Sequence, residues 1–425
     1  MRGMPEYSVR FRNPPVNGDG ASMARHGGSS CRQGTRRRPT FEGNARDSHC
    51  GGQGQGPVDG LGPGQKSHLV SSSWRPRADG DHRRTAAPGR GILIGHEFMG
   101  EIAEVGSEVT HRSVGERVVV PSFISCGACW YCHHDLPSLC DTSNPNAALQ
   151  QPILGYPTGG IYGYTHPFGG YQGSHAELVR VPFGDVNCFP VPENVTDEQA
   201  LFLSDAVPTG LMGAEFCDIS PGDTVAVWGS GGVGLMAGHA AHLLGAERVI
   251  MIDRRPERLA LAHKQFGAET IDYTAVDSVL DTLRDRTGGR GPDACVDAVG
   301  MEGHGTGVQH LYDRTKQALR LHTDRATALR EAILACRKGG TVAVLGIYGV
   351  TDKFPMGVLT NKGLTIRTSQ QQGQRYVPRM LDYVQQGDLD PSYLITHDMP
   401  LDEAVHGYEI FKHKRDGCIR AVFRP

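Results

Sequence analysis

The sequence predicts an α/β protein in which an irregular, β-rich domain precedes a doubly wound parallel sheet. Three observations predict it. From about residue 205 onward, short apolar runs alternate with helical stretches, the pattern of βαβ units. One of those runs ends in a glycine turn that opens directly into a helix. Between residues 91 and 205 the runs are short and punctuated by Gly and Pro, which reads as strands and turns.

The elements follow in order. Residues 102–105 and 117–120 read as strands, separated by Gly106 and Gly115, and 176–181 is an alternating run closed by Pro182. A strand at 224–228 leads into a helix at 233–244. A strand at 248–252 leads into a helix at 256–266, and further strands are expected at 294–296 and 341–345. The expected division is 91–205 for the β-rich domain, 206–369 for the parallel sheet and 370–425 for a return to the first domain.

Composition sets bounds. The chain of 425 residues suits two or three domains of about 150 each. The apolar set is 38%; with Gly included and Tyr set aside it is roughly 48%, ordinary for a globular protein. No apolar run reaches the roughly 18 residues of a membrane span. A net charge of −3 gives no reason to expect nucleic acid or an anionic membrane as partner.

The average hides a break near residue 90. Residues 1–90 hold 14 Arg, 16 Gly and 8 Pro, but two Leu and no Ile. There, 15 basic residues face 7 acidic ones; in the remainder the balance reverses to 28 against 39. So little apolar surface cannot offset ordering entropy, and residues 1–90 are expected to be atypical and largely disordered. An Arg-rich transit peptide and a stretch read out of frame are the other readings, since GC-rich DNA out of frame yields Arg, Gly, Pro and Ala.

The glycine turn carries the first chemistry. Gly229, Gly231 and Gly234, with Gly232 and Val233 between, form G-x-G-x-x-G between strand and helix. Such a turn admits a pyrophosphate against the amides of a helix N-terminus. Asp253 ends the next strand, 19 residues after Gly234, where a carboxylate accepts the ribose 2′-hydroxyl. That favours NAD; Arg254 and Arg255 leave NADP disfavoured rather than excluded.

Cys126, Cys129, Cys132 and Cys140 form C-x2-C-x2-C-x7-C, a set that can wrap one tetrahedral Zn²⁺ with every position filled by protein. Free thiols and an iron–sulfur cluster are the alternatives. Cys188, Cys217, Cys295, Cys336 and Cys418 stand singly among apolar neighbours and read as core. An open zinc site needs three protein ligands and a free position. His96 and Glu97 after Gly95, and Asp205 in Leu-Ser-Asp, are candidates, but spacing alone cannot join groups so far apart.

The stretches that join them resemble the zinc-dependent medium-chain alcohol dehydrogenases, in the branch related to formaldehyde dehydrogenase and formaldehyde dismutase. They are Gly95-His-Glu-Phe-Met-Gly-Glu-Ile-Ala-Glu-Val-Gly106, the four-cysteine lobe, Leu154-Gly-Tyr-Pro-Thr-Gly-Gly160, Phe202-Leu-Ser-Asp205 with Pro208-Thr-Gly, the Gly229 turn, and Asp297-Ala-Val-Gly-Met301. The resemblance covers about 91–425. It implies a GroES-like catalytic domain and a Rossmann domain with the active site between them. It implies a catalytic zinc on His96 and Asp205, with Glu97 close to it, and NAD at Gly229, Gly231, Gly232, Val233, Gly234, Asp253, Arg254 and Thr209. It implies hydride transfer between NAD and a small alcohol or aldehyde, formaldehyde-like substrates included, by a cytoplasmic homodimer or homotetramer. A zinc-free quinone reductase is disfavoured, because the cysteine lobe would then have no purpose.

The chain also departs from that family. The first zinc ligand sits in Cys-Gly-Ser-Asp-x-x-His, upstream of Gly-His-Glu; at the matching distance this chain reads Ser73-Trp74-Arg75-Pro76-Arg77. Cys50-Gly51-Gly52 is similar to the start of that motif but lies 46 residues before His96, which leaves Cys50 a minor candidate for the ligand. Residues 1–90 are therefore expected not to encode the family's usual start. The alternative function is an NAD-binding, zinc-stabilised protein whose catalysis is impaired by the missing thiolate and proton relay.

Overall fold

The computed structural model describes residues 8–12, 69–71, 91–300, 326–349 and 354–425. Two sheets organise it. The hub of the first is the strand Glu97–Val105, which pairs antiparallel with Leu69–Ser71, with Ser8–Arg12 and with Arg117–Val120. Arg180–Pro182 extends the sheet on one side. Phe189–Pro190 joins it through Arg117–Val120. Arg420–Arg424 pairs with Leu69–Ser71, and Ile395–Pro400 runs parallel to it, so the last stretch of chain completes the sheet begun by the first.

Ser8–Arg12 and Leu69–Ser71 give this sheet two strands from within residues 1–90, a stretch whose composition predicts disorder. Five and three residues are too short to show a period, and their ladder partners come from elsewhere in the chain. The rest of 1–90, with the disorder expected there, lies outside the described residues. The run at 176–181 also shortens: the strand is Arg180–Pro182, because Ala176 closes a tight turn onto the Ser174 carbonyl.

The second sheet is parallel, in the order Glu269–Asp272, Arg248–Asp253, Thr224–Trp228, Ala294–Asp297, Thr341–Val344, Thr365–Thr368. Counted along the chain this is 3-2-1-4-5-6, the doubly wound order whose ligand crevice opens beside the first strand. Both faces are covered. Val225 and Val227 enter the core beneath Ala206–Phe216 and Gly232–Leu243, while Ala226 and Trp228 enter the core beneath Thr327–Ala335. A period of two with apolar residues on both faces explains why this strand reads as a continuous apolar run.

The same period joins the two domains. Phe98, Val118 and Val120 pack inside the first domain, whereas Met99 and Val119, one residue away, pack into the core of the nucleotide domain. Glu97 lies two residues before Met99 and so shares the face turned toward that domain.

Candidate active site

His96 follows Gly95, whose φ of +104° is open to glycine and strained for a side chain; a Cβ there would also strike the His175 ring. Asp205 stands before the helix Ala206–Phe216, at a position where aspartate ordinarily caps the helix, but its side chain caps no backbone amide. Asp205 Oδ2 lies 2.9 Å from His96 Nε2 instead. The other oxygen, Oδ1, accepts from the Thr209 hydroxyl at 2.8 Å and from Gln371 Nε2 at 3.0 Å. Burial works to raise this carboxyl, yet the hydrogen bond and charge of His96 hold it below its ordinary value. The structure thus brings together two of the three expected ligands, 109 residues apart in the chain.

Glu97 does not join them. Glu97 opens the strand Glu97–Val105, and its Oε2 pairs with Arg420 Nε at 3.3 Å. Glu97, expected close to the metal, is thus paired with a cation at the domain junction. Glu97 is fully buried and Arg420 nearly so, so each needs the other's charge. The Arg420 guanidinium also lies against Gly232: a Cβ on that glycine would stand 2.7 Å from Arg420 Cζ. Glu97, Arg420 and the nucleotide turn therefore form one continuous set across the domain junction. Sequence reasoning missed Arg420, which opens the strand Arg420–Arg424 beside three apolar residues and is buried in the structure. Gln371, in a run of polar residues, gave no signal.

The nucleotide turn is built as its spacing demands. Gly229 has φ +93°, and its amide donates to the Ile252 carbonyl at 2.8 Å. A Cβ on Gly234 would stand 1.8 Å from the Gly229 carbonyl oxygen, so that position has room only for glycine. Gly231 precedes the helix Gly232–Leu243, whose first amides have no side-chain cap and are available to an anion. Asp253 faces the turn: Oδ2 accepts from the Ser230 amide at 2.7 Å, and Oδ1 from the amides of Arg254 and Arg255 at 2.6 and 3.1 Å. Thr209, expected at the cofactor, gives its hydroxyl to Asp205, one helical turn before it. Val233 is half-buried within the helix.

The four cysteines converge as a separate site. All four sulfurs lie within 4.8 Å of one another, with Cys129 to Cys132 at 3.5 Å, and Cys126 to Cys132 and Cys129 to Cys140 at 3.9 Å. Zn²⁺ with four sulfurs at about 2.3 Å holds them about 3.8 Å apart, so the donor set fits. Amides of Cys126 and Thr142 donate to Cys140 Sγ at 3.4 Å, as an amide near a thiolate does. A hydrogen bond from the Cys132 thiol holds Cys140 down at about 4, and the same shared proton pushes Cys132 up. Among the described residues no other group of three or more His, Cys, Asp or Glu side chains gathers in this way. The remaining described cysteines are all buried.

A parallel dinucleotide sheet, a β-rich domain carrying a closed four-cysteine lobe, and a His–Asp pair between them define a two-domain, zinc-dependent dehydrogenase. The comparisons with known proteins agree. Residues 67–193 match the model of the alcohol dehydrogenase GroES-like domain, and residues 232–321 that of the zinc-binding dehydrogenase. The first match begins well before residue 91, so the likeness reaches into the stretch expected to lack it. The uncharacterized zinc-type alcohol dehydrogenase-like protein AdhB of Bacillus subtilis is 38% identical over 336 residues, 78% of this chain and 85% of that one. The glutathione-independent formaldehyde dehydrogenase of Pseudomonas aeruginosa is 35% identical over 289 residues, 67% of each chain. Among solved structures, the alcohol dehydrogenase TADH from Thermus sp. ATN1 superposes with a TM-score of 0.66 at 32% identity, covering 84% of this chain and 90% of that one. The chain belongs to the zinc-type alcohol dehydrogenase family and is an oxidoreductase, of a class whose cofactors are zinc and a nicotinamide dinucleotide. No helix among the described residues is long and apolar enough to cross a membrane.

Proposed function

We propose that this chain transfers hydride between NAD and a small alcohol or aldehyde, formaldehyde-like substrates included. The approach of His96 Nε2 to Asp205 Oδ2 carries the reading, because it sets two metal donors at the junction of the sheet domains. Zinc held there supplies Lewis-acid activation of the substrate oxygen. His96 and Asp205 bind it, while Thr209 and Gln371 keep Asp205 Oδ1 occupied so that Oδ2 faces the histidine. Arg420, neutralised on one side by Glu97, presents the rest of its charge to the turn that receives the pyrophosphate. Asp253 holds the Ser230 amide and retains lone pairs for the ribose. The reading includes a cytoplasmic homo-oligomer acting on a small molecule, without nucleic acid or membrane. The test is NADH absorbance on adding NAD and a panel of short alcohols and aldehydes.

A second reading is favoured by the donor set. Among the described residues no cysteine joins His96 and Asp205. With two donors in place of three, the chain binds NAD and about one firm zinc, in the cysteine lobe, and turns over poorly. Metal content after dialysis separates the two: about two firm zincs with normal turnover exclude the second reading, and cofactor binding without reduction by any substrate excludes the first.

A further inference from the structure

Residues 369–372 carry the chain from the last strand of the parallel sheet, Thr365–Thr368, to the helix Gly373–Gln386. Gln371, Gln372 and Gln374 of this crossing each reach a different part of the molecule. Gln371 Nε2 meets Ser122 Oγ at 2.5 Å, the Ser204 carbonyl at 2.9 Å and Asp205 Oδ1 at 3.0 Å. Gln372 Oε1 accepts from the Ser138 amide at 3.0 Å, and its Nε2 donates to Ser369 Oγ at 2.8 Å. Gln374 Nε2 donates to the Phe123 carbonyl at 2.6 Å and to Asn187 Oδ1 at 2.8 Å. Ser138 belongs to the turn Pro137–Leu139 that leads into Cys140, so Gln372 bonds the cysteine lobe to the segment that holds Asp205. Gly373 lets that segment sit close: a Cβ there would stand 2.5 Å from Pro121 Cβ. Gln371, Gln372 and Ser138 are all buried, so a bond lost among them is not made good by solvent. An amide nitrogen carries two protons, and Gln371 Nε2 faces three acceptors. The contact with Asp205 is the longest of the three, so it is the first to yield when residue 371 shifts.

We propose that Gln372 is a positioning residue for Asp205. By tying the start of the helix to the lobe through the Ser138 amide, it keeps Gln371 Nε2 within reach of Asp205 Oδ1, and so keeps Oδ2 turned to His96. The four-cysteine lobe thereby serves as the buttress of the second metal site as well as the holder of its own ion. This rests on the reading of His96 and Asp205 as metal donors.

The experiment is equilibrium binding of Co²⁺ to the His96–Asp205 pair of the full chain, with the lobe filled by zinc, followed by visible absorption. The unaltered chain is compared with Gln372→Met, Gln371→Met, the double variant and Ser369→Ala. For Gln372→Met the expected result is about fivefold weaker Co²⁺ binding with the lobe zinc retained after dialysis. The loss stays short of the one for Gln371→Met, because the bond to Asp205 is loosened rather than deleted. The double variant binds Co²⁺ no more weakly than Gln371→Met, since the route of Gln372 is already removed. Ser369→Ala, which takes from Gln372 its other bond and leaves the one to Ser138, changes nothing. An additive loss in the double variant overturns the proposal. So does an equal loss in Ser369→Ala, which makes the effect that of any buried hydrogen bond, or loss of the lobe zinc in Gln372→Met, which makes Gln372 a support of the lobe. If Gln372→Met does not fold, hydrogen exchange in the unaltered chain takes its place. Filling the pair with Co²⁺ slows exchange of the Ser138 amide, because the coupling is reciprocal, and an unchanged rate overturns the proposal. If the unaltered chain takes up no Co²⁺ beyond its zinc-filled lobe, the metal-pair reading falls together with the proposal. Co²⁺ bound equally by the unaltered chain and Gln372→Met removes the proposal alone.

Discussion

The four-cysteine lobe and the His96–Asp205 pair are two ways of assembling metal donors. The lobe draws its four sulfurs from residues 126–140, and they converge within 4.8 Å on a short stretch of chain. The other pair spans two domains: His96 follows the turn at Gly95, and Asp205 is held by Thr209 one helical turn away and by Gln371, 166 residues away. Short loops lose little entropy on closing and carry their own spacing, so the lobe is both legible and complete. A site closed over more than a hundred residues needs the whole fold, and any missing element leaves it short of a donor.

The comparison can be broken at several points. The largest effect is expected for Cys140→Ser, which removes the sulfur that the other thiols and two amides converge on; the firmly held zinc is lost from the chain altogether, as metal analysis after dialysis reads. Next is Gly234→Ala. Its Cβ has no room beside the Gly229 carbonyl, so stability falls by about 3 kcal/mol or more in denaturant melts and NADH binding is lost, while zinc stays in the lobe. His96→Ala leaves the lobe zinc in place and lowers any alcohol-dependent NADH formation by about a hundredfold or more; loss of the firm zinc in this variant would mean the two sites are not independent. The smallest effect belongs to Gln371→Met and Thr209→Val, each of which frees one bond on Asp205 Oδ1. About tenfold weaker binding of Co²⁺ at the His96–Asp205 pair is expected for either, followed by its visible absorption with the lobe filled by zinc.

The Gly229 turn was readable because its physics is local. Glycines at fixed offsets, a strand before and a helix after leave few alternatives, and the turn takes the backbone form that this spacing demands. Asp205 was readable only as a residue of the right type, since a side chain at the start of a helix ordinarily caps it. The partner of Glu97 was not readable, because Arg420 lies more than 300 residues further along the chain. Ser8–Arg12 and Leu69–Ser71 were hidden by a composition average that a few paired residues do not move.

By itself the sequence determined the nucleotide turn and the cysteine lobe, because each is specified by residues close together in the chain, and the parallel sheet through the alternation of strand and helix from about residue 205 onward. Only the tertiary structure decided which carboxylate meets His96, which cation neutralises Glu97, and that Gln372 meets the cysteine lobe at Ser138. Those pairings join elements whose separation along the chain carries no information about their distance, and burial forces each polar group to find a partner wherever the fold places one.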